Sequence, residues 1–268
     1  MERKKVTIPN ILKLYEAGER ITMLTAYDYP SAAIADQAGI DIILVGDSLG
    51  MVINGYKNTL PVTVEEIIYH TKAVARGTSY SLIVADMPFL SYQAGMHDAL
   101  YNAGRLIKEG GAEAVKIEGG RNITDTIKSI VRVDIPVMGH IGLTPQSIHR
   151  MGGYKVQGKD EKSHNALIED ARALEDAGTF AIVLEGLPEQ LAKEITSKLH
   201  VPTIGIGAGR EVNGQVLVFH DLLGLGGNIQ PTFVKQYAHL KETAVSAIEQ
   251  YIKEVKAGVF PGPEHTYK

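Results

Sequence analysis

Asp47, Asp86, Glu118 and Glu185 each stand at or just past the end of a short apolar run, in DIILVGDS, SLIVADMP, AEAVKIEG and TFAIVLEG. A run of Ile, Leu, Val and Ala bounded by Gly, Pro or charge reads as a buried parallel strand, and an acid at its carboxyl end points out of the packed sheet. That end is where α/β folds keep their chemistry. Four acids from four strands describe a divalent-cation site with a general base beside it. Oxygen-only ligation by Asp47 and Asp86, from adjacent strands, suits Mg2+, which keeps several waters and shares the rest of its shell with substrate. The plainer role for each acid is to cap the next helix or to pair with a neighbouring lysine.

Other residues gather around these four. In AVKIEG, Lys116 and Glu118 are two apart, which on a strand puts them on one face. Burying either charge alone is expensive, so they either pair with each other or hold a ligand, and an inward lysine can grip a substrate carboxylate or carbonyl oxygen. Glu185 closes a strand with no other ionisable group; apolar surroundings there would raise its pKa and make it a proton acceptor near neutrality, the alternatives being a helix cap or a salt bridge to a loop cation. His140, in MGHIGLTP, ends the fifth strand and reads as a residue that orients others by hydrogen bonding, not as a ligand. The glycines of IGIGAG (Gly205, Gly207, Gly209) form either a phosphate cradle or a site of close backbone packing. His220 and Asp221 end the eighth strand, either as functional residues or with Asp221 capping a helix.

The elements that must position these residues alternate along the chain. Strands are expected at ITMLTAY, DIILVGD, SLIVADM, AEAVKIE, PVMGHIG, FAIVLEG, VPTIGIG and QVLVFHD. After an opening amphipathic helix at 8–19, helices fall between them at 31–38, 63–76, 97–109, 123–131, 163–177 and 189–199, with Gly39, Gly77, Gly110 and Gly178 as C-caps. Eight βα alternations over roughly 250 residues describe an α/β fold, a (β/α)8 TIM barrel with an N-terminal helix. A doubly wound open sheet is the rival. The alternation weakens at 142–162, a Gly-rich polar stretch read as an active-site loop, and at 209–215. The polar stretch 54–63 is a second candidate loop. The last amphipathic stretch, 233–255, is expected to be the eighth outer helix and to make subunit contacts.

Composition bounds the reading further. The 268 residues are 44% hydrophobic and 22% charged, as in an ordinary soluble protein, and a single barrel domain over 1–268 is expected. A net charge of −4 with scattered Lys and Arg gives no footprint for nucleic acid or an acidic membrane. The absence of cysteine removes disulfides, thiolate nucleophiles and cysteine zinc sites, and permits a reducing cytoplasm. The first residues are basic, but no apolar stretch follows before Pro9, so no secretory signal is expected. No apolar run approaches the ~18 residues of a membrane span.

The ordered set GDSLGM (46–51), VADMPF (84–89), AVKIEGG (114–120), GHIGLTPQ (139–146), LEG (184–186), IGIGAG (204–209) and HDLLGL (220–225) closely resembles the ketopantoate hydroxymethyltransferase family. The likeness runs from TAYDYPSA (25–32) to FPGPEH (260–265). It implies a (β/α)8 barrel, a homodecamer in the cytoplasm, and a place in the route to pantothenate and coenzyme A. It implies Mg2+ held by Asp47 and Asp86 with Glu118 completing its surroundings, a 2-oxo acid contacted by Asp47, Ser48, Asp86 and Lys116, and Glu185 as catalytic proton acceptor. It also implies 5,10-methylenetetrahydrofolate as one-carbon donor. Three readings stand against it: a lyase or mutase of phosphoenolpyruvate-like or oxaloacetate-like substrates, a metal-independent aldolase using Lys116 as Schiff-base nucleophile, and a non-catalytic barrel.

Overall fold

A computed structural model of the chain describes residues 3–226 and 231–268, so Met1 and Glu2 of the basic N-terminus lie outside it. After α1 (Ile8–Glu16) come β1 (Ile21–Thr25), α2 (Tyr29–Ala38), β2 (Ile42–Val45), a short α3 (Leu49–Val52), α4 (Val64–Gly77), β3 (Leu82–Asp86), α5 (Met96–Arg105) and β4 (Ala114–Glu118). Then follow α6 (Thr124–Arg132), β5 (Val137–Gly142), a short α7 (Ile148–Met151), α8 (Glu161–Asp176), β6 (Ala181–Glu185), α9 (Glu189–Lys198), β7 (Thr203–Ile206) and β8 (Gly214–Leu217). A turn of helix, α10 (Phe219–Leu222), and a long helix, α11 (Leu240–Lys256), complete the chain. The strands pair in parallel in chain order and β8 returns to β1, so the sheet closes. This is the TIM barrel that the alternation implied, and it excludes the open sheet. The chain falls into two compact units: Met1–Phe219, with all the strands, and His220–Lys268, with α11.

Several boundaries move for identifiable reasons. β7 passes to β8 with no helix between them, where the alternation weakened. β8 ends at Leu217, because the Phe219 amide donates to Thr25 Oγ1 at 2.9 Å; His220 and Asp221 therefore sit in α10 and not on the strand. α11 starts at Leu240 instead of Phe233, since the Tyr237 and Leu240 amides are spent on the Leu222 and Leu223 carbonyls. Gly39 closes α2 in the left-handed conformation as expected, but Gly77 is the last residue of α4 and does another job. A Cβ there would lie 2.5 Å from the Tyr29 carbonyl, so glycine lets α4 approach α2. After α5 the helix widens into a π turn over 106–110, which moves the left-handed cap from Gly110 to Gly111.

Inside the barrel, the amino-terminal inward positions are apolar. Ile21, Met23, Ile42, Leu44, Leu82, Val84, Ala114, Met138, Ala181, Val183, Ile204 and Val216 form one cluster with Ile11 of α1, which closes the bottom of the barrel. Burial of these side chains, at about 25 cal/mol per Å² of apolar surface, makes a rigid floor on which polar residues can be held.

One polar staple fixes the entry to β3. The buried Asp36 carboxylate on α2 accepts from the Ser79, Tyr80 and Ser81 amides at 3.0, 3.0 and 2.7 Å, and from Ser81 Oγ at 2.8 Å. Burial pushes this carboxyl up, but the donors outweigh it and hold it below its ordinary 3.8. A folded pKa below the unfolded one adds stability above about pH 4 that is lost as pH falls through the folded value. Asp36→Ala should therefore cost on the order of 3 kcal/mol at pH 7, by leaving buried donors unmet. Urea unfolding should show the gap to wild type narrowing at pH 3; equal stability at pH 7 would contradict this role.

Candidate active site

Strand alternation decides which side chains meet at the barrel mouth. Along the inward face β3 runs Leu82, Val84, Asp86; β4 runs Ala114, Lys116, Glu118; β5 runs Met138, His140; and β6 runs Ala181, Val183, Glu185. Each begins in the apolar cluster and ends in an ionisable group. The register sets Asp86 beside Lys116 and Glu118 beside His140. A slip of one residue in any of these strands would turn its ionisable groups outward.

Asp47 reaches the same place from the end of β2, just before α3, and its backbone amide donates to Asp86 Oδ2 at 2.9 Å. Lys116 Nζ lies 2.7 Å from Asp86 Oδ1, so the lysine pairs with its cross-strand neighbour and not with Glu118. This is a charge contact without hydrogen-bond alignment, and Oδ1 has no aligned donor. Glu118 Oε2 accepts from the Gln146 amide at 3.0 Å, while Oε1 lies 3.5 Å from His140 Nδ1. The other ring nitrogen, Nε2, is 3.2 Å from Glu185 Oε2. Glu185 is thus paired with a histidine, where the sequence suggested apolar surroundings. Ser48 Oγ lies 2.7 Å from Tyr27 Oη at the edge of the group. Every site residue expected from the sequence, Asp47, Ser48, Asp86, Lys116, Glu118, His140 and Glu185, therefore lies at the carboxyl end of the barrel strands.

The electrostatics are those of a desolvated, acid-rich space. Burial raises the Asp47 carboxyl well above the usual carboxylate range, and the charges of Asp86 and Glu118 add to the effect. Burial also raises Asp86, against the pull of Lys116. Glu118 is held low: burial works against ionisation, but His140, Lys116 and the Gln146 amide outweigh it. Burial disfavours the Lys116 charge, yet Asp86, Glu118 and Asp47 hold the ammonium above its ordinary range, which makes it a poor Schiff-base nucleophile. Burial and Lys116 oppose a charge on His140, but Glu118 and Glu185 push it up to about 9. The ring nitrogens lie within charge-contact distance of the two carboxylates, and Lys116 Nζ is 3.2 Å from Nδ1. With all four acids ionised against one ammonium and one imidazolium, two negative charges are left over.

These residues fit a hard divalent cation. Asp47 and Asp86 present hard oxygen donors, Asp86 Oδ1 has only the unaligned Lys116 ammonium beside it, and the surplus with all four acids ionised would be that of one divalent ion. Among the described residues no three His, Asp or Glu side chains form a ready-made metal cluster. Two protein carboxylates with substrate and water completing the shell is the usual Mg2+ arrangement.

Reasoning from types and spacing missed three residues. Gln146, from the loop after β5, is buried and contacts Asp47 and Glu118 directly. Tyr92 Oη donates to the Glu118 carbonyl at 2.8 Å, and Tyr27 holds Ser48. The polar stretch 142–162 was a signal for the loop but not for the residue. Beside the acids opens a cleft of about 350 Å³, lined by Phe89, Gln93, Asn122, Arg150, Gln157 and Asp170 among others. The IGIGAG glycines serve close packing: a Cβ on Gly205 would meet Val212 at 2.9 Å and one on Gly209 would meet Glu189 at 2.4 Å. The Glu189 carboxylate already takes the Arg210 amide there and would repel a phosphate.

Comparison with known proteins decides among the chemistries that such a site admits. The profile of the ketopantoate hydroxymethyltransferase family matches residues 5–263. The chain belongs to this family. It is 60% identical over 267 residues to the 3-methyl-2-oxobutanoate hydroxymethyltransferase of Geobacter metallireducens, covering 100% of both chains. It is 58% identical to the enzyme of that name from Moorella thermoacetica, covering 100% of this chain and 99% of the relative. The enzyme is accordingly a transferase acting on small molecules, which excludes the non-catalytic barrel. In fold it is similar to a phosphonopyruvate hydrolase crystallised with oxalate and Mg2+ (TM-score 0.62, 14% identity, 97% of this chain and 93% of that one). It is also similar to an oxaloacetate acetylhydrolase with the product oxalate (TM-score 0.64, 14% identity, 99% and 92%). At that identity the likeness concerns the barrel alone. No helix among the described residues is long and apolar enough to cross a membrane.

The crowding of carboxylates has a thermodynamic consequence. An acid whose folded pKa is raised destabilises the fold as pH climbs from its unfolded value through the folded one. In chelator at pH 7–8, Asp47→Asn should be more stable than wild type by on the order of 1 kcal/mol, or roughly 2–4 °C in melting temperature. Thermal melts across pH should show the difference growing as pH rises; a less stable variant at every pH would contradict it.

Proposed function

We propose that the enzyme transfers a hydroxymethyl group to 3-methyl-2-oxobutanoate in a Mg2+-dependent reaction, with 5,10-methylenetetrahydrofolate as donor. The products are 2-dehydropantoate and tetrahydrofolate, on the route to pantothenate. The observation that carries this reading is the gathering at one barrel mouth of Asp47 and Asp86, joined by a hydrogen bond, and of Glu185, 3.2 Å from His140. Full-length identity of 60% to a protein named for this reaction supports the substrate. Cytoplasmic location, a homodecameric assembly and a single functional barrel over 1–268 belong to the same reading.

Each residue has a definite task. Asp47 and Asp86 would hold Mg2+, with Glu118 close by. Bound Mg2+ would supply Lewis acidity at the ketone oxygen and so lower the cost of an enolate. Lys116, kept protonated, meets the negative charge of the 2-oxo acid, and Ser48 offers a hydroxyl from the edge of the group. Glu185 removes the proton at C3, leaving its electron pair as the enolate. His140 Nε2, 3.2 Å from Glu185 Oε2, sets a positive ring beside that base. One C–N bond of the folate methylene opens to an iminium, whose carbon the enolate carbon attacks, and water then supplies the hydroxyl oxygen as the second C–N bond breaks and tetrahydrofolate leaves.

Removing only the base should separate chemistry from binding. Glu185→Gln keeps the shape and a hydrogen-bond acceptor for His140, so affinity for the 2-oxo acid should stay within a few-fold while kcat falls by about 10²–10⁴. Steady-state kinetics with calorimetric binding check both halves; an unchanged kcat would remove Glu185 from its role.

A further inference from the structure

We infer that Gln146 is a positioning residue, sorting the oxygens of the acid cluster into those committed to the protein and those left for a cation. The inference rests on the metal reading of the site given above. Gln146 begins its work through the backbone: its amide donates to Glu118 Oε2 at 3.0 Å. Its side-chain amide nitrogen forks to Asp47 Oδ2 at 2.9 Å and to the Met87 carbonyl at 3.0 Å. Both partners are pure acceptors, so the orientation of the amide is fixed by chemistry. The side-chain oxygen lies 2.9 Å from Tyr92 Oη and accepts from Gln93 Nε2 at 3.3 Å. A buried side chain with every polar atom engaged is held in one rotamer.

The consequence falls on the carboxylates. Asp47 Oδ2 is taken by Gln146, and Asp86 Oδ2 is taken by the Asp47 amide. Asp47 Oδ1 and Asp86 Oδ1 are the oxygens these two bonds leave, and Asp86 Oδ1 has the Lys116 ammonium 2.7 Å away without hydrogen-bond alignment. Gln146 thus keeps Asp47 from rotating its free oxygen away and keeps Glu118 from swinging into the same space. It is neutral, so it does this without supplying a positive charge that would compete with the ion. Its anchors, Tyr92 and Met87, follow β3, so one residue of the β5 loop ties together the ends of β2, β3 and β4.

The test uses the full chain freed of metal and titrated with Mn2+, read by electron paramagnetic resonance, with melting temperature taken on the same samples. Gln146→Met fills the same space and removes the donors. It should raise the Mn2+ dissociation constant by about 10–100-fold while the circular dichroism spectrum is kept. A folded Gln146→Met with unchanged Mn2+ affinity would overturn the assignment, whatever its melting temperature. If that variant fails to fold, Tyr92→Phe, which removes the hydroxyl shared by the Gln146 side-chain oxygen and the Glu118 carbonyl but leaves the Gln146 amide on the Glu118 carboxylate, decides: a three-fold or larger loss of affinity supports the assignment and no loss overturns it. A wild-type chain that binds no Mn2+ would overturn this inference and the metal reading together, whereas Mn2+ binding equal in both chains overturns this inference alone.

Discussion

Two aspartates are buried so close that the backbone amide of one donates to the carboxylate of the other, with glutamates at the ends of β4 and β6 at the same barrel mouth. Desolvation alone makes such a group costly, and mutual repulsion adds to it. The surrounding structure answers that cost piece by piece. Lys116 answers Asp86, His140 answers both Glu118 and Glu185, and the amide protons of Asp47 and Gln146 answer single oxygens. With all four acids ionised the positive charges would fall two short of the negative ones, and the proposed divalent ion would make up that difference.

The barrel makes this arrangement possible by separating two tasks along each strand. Its lower layers are apolar and closed by α1, which makes the floor rigid; its upper layer is ionisable and faces only the mouth. Because the two layers share the same inward parity, packing of the lower one fixes the direction of the upper one. Burial, with the neighbouring acids adding to it, raises the Asp47 carboxyl, and neighbouring acids keep His140 and Lys116 protonated against their own burial.

Much of this was legible in the sequence because strand ends are local. An apolar run followed by an acid needs no knowledge of the rest of the chain, so all eight strands and Asp47, Asp86, Glu118 and Glu185 could be read directly. Partnerships were less legible because they depend on register. Lys116 and Glu118 share a face, but residues two apart on a strand are about 6.6 Å apart, whereas neighbours across strands are about 4.8 Å apart, so Lys116 pairs with Asp86. Glu185 looked isolated in its own strand, and only the pairing of β5 with β6 brings His140 to it. Gln146 carries no charge, and its position follows from the course of a loop, for which spacing offers no rule. The start of α11 was misread because its expected first residues give their amides to carbonyls in the preceding turn.

The central claim is that this cluster, loaded with a divalent cation, enolises a branched 2-oxo acid. It is tested most directly by deuterium exchange at C3 of 3-methyl-2-oxobutanoate in D2O, followed by NMR without any folate, with Mg2+ or with chelator. The account predicts enzyme-catalysed exchange with Mg2+ and its loss in chelator. Exchange that is indifferent to the metal, or no exchange with any divalent cation, would contradict it.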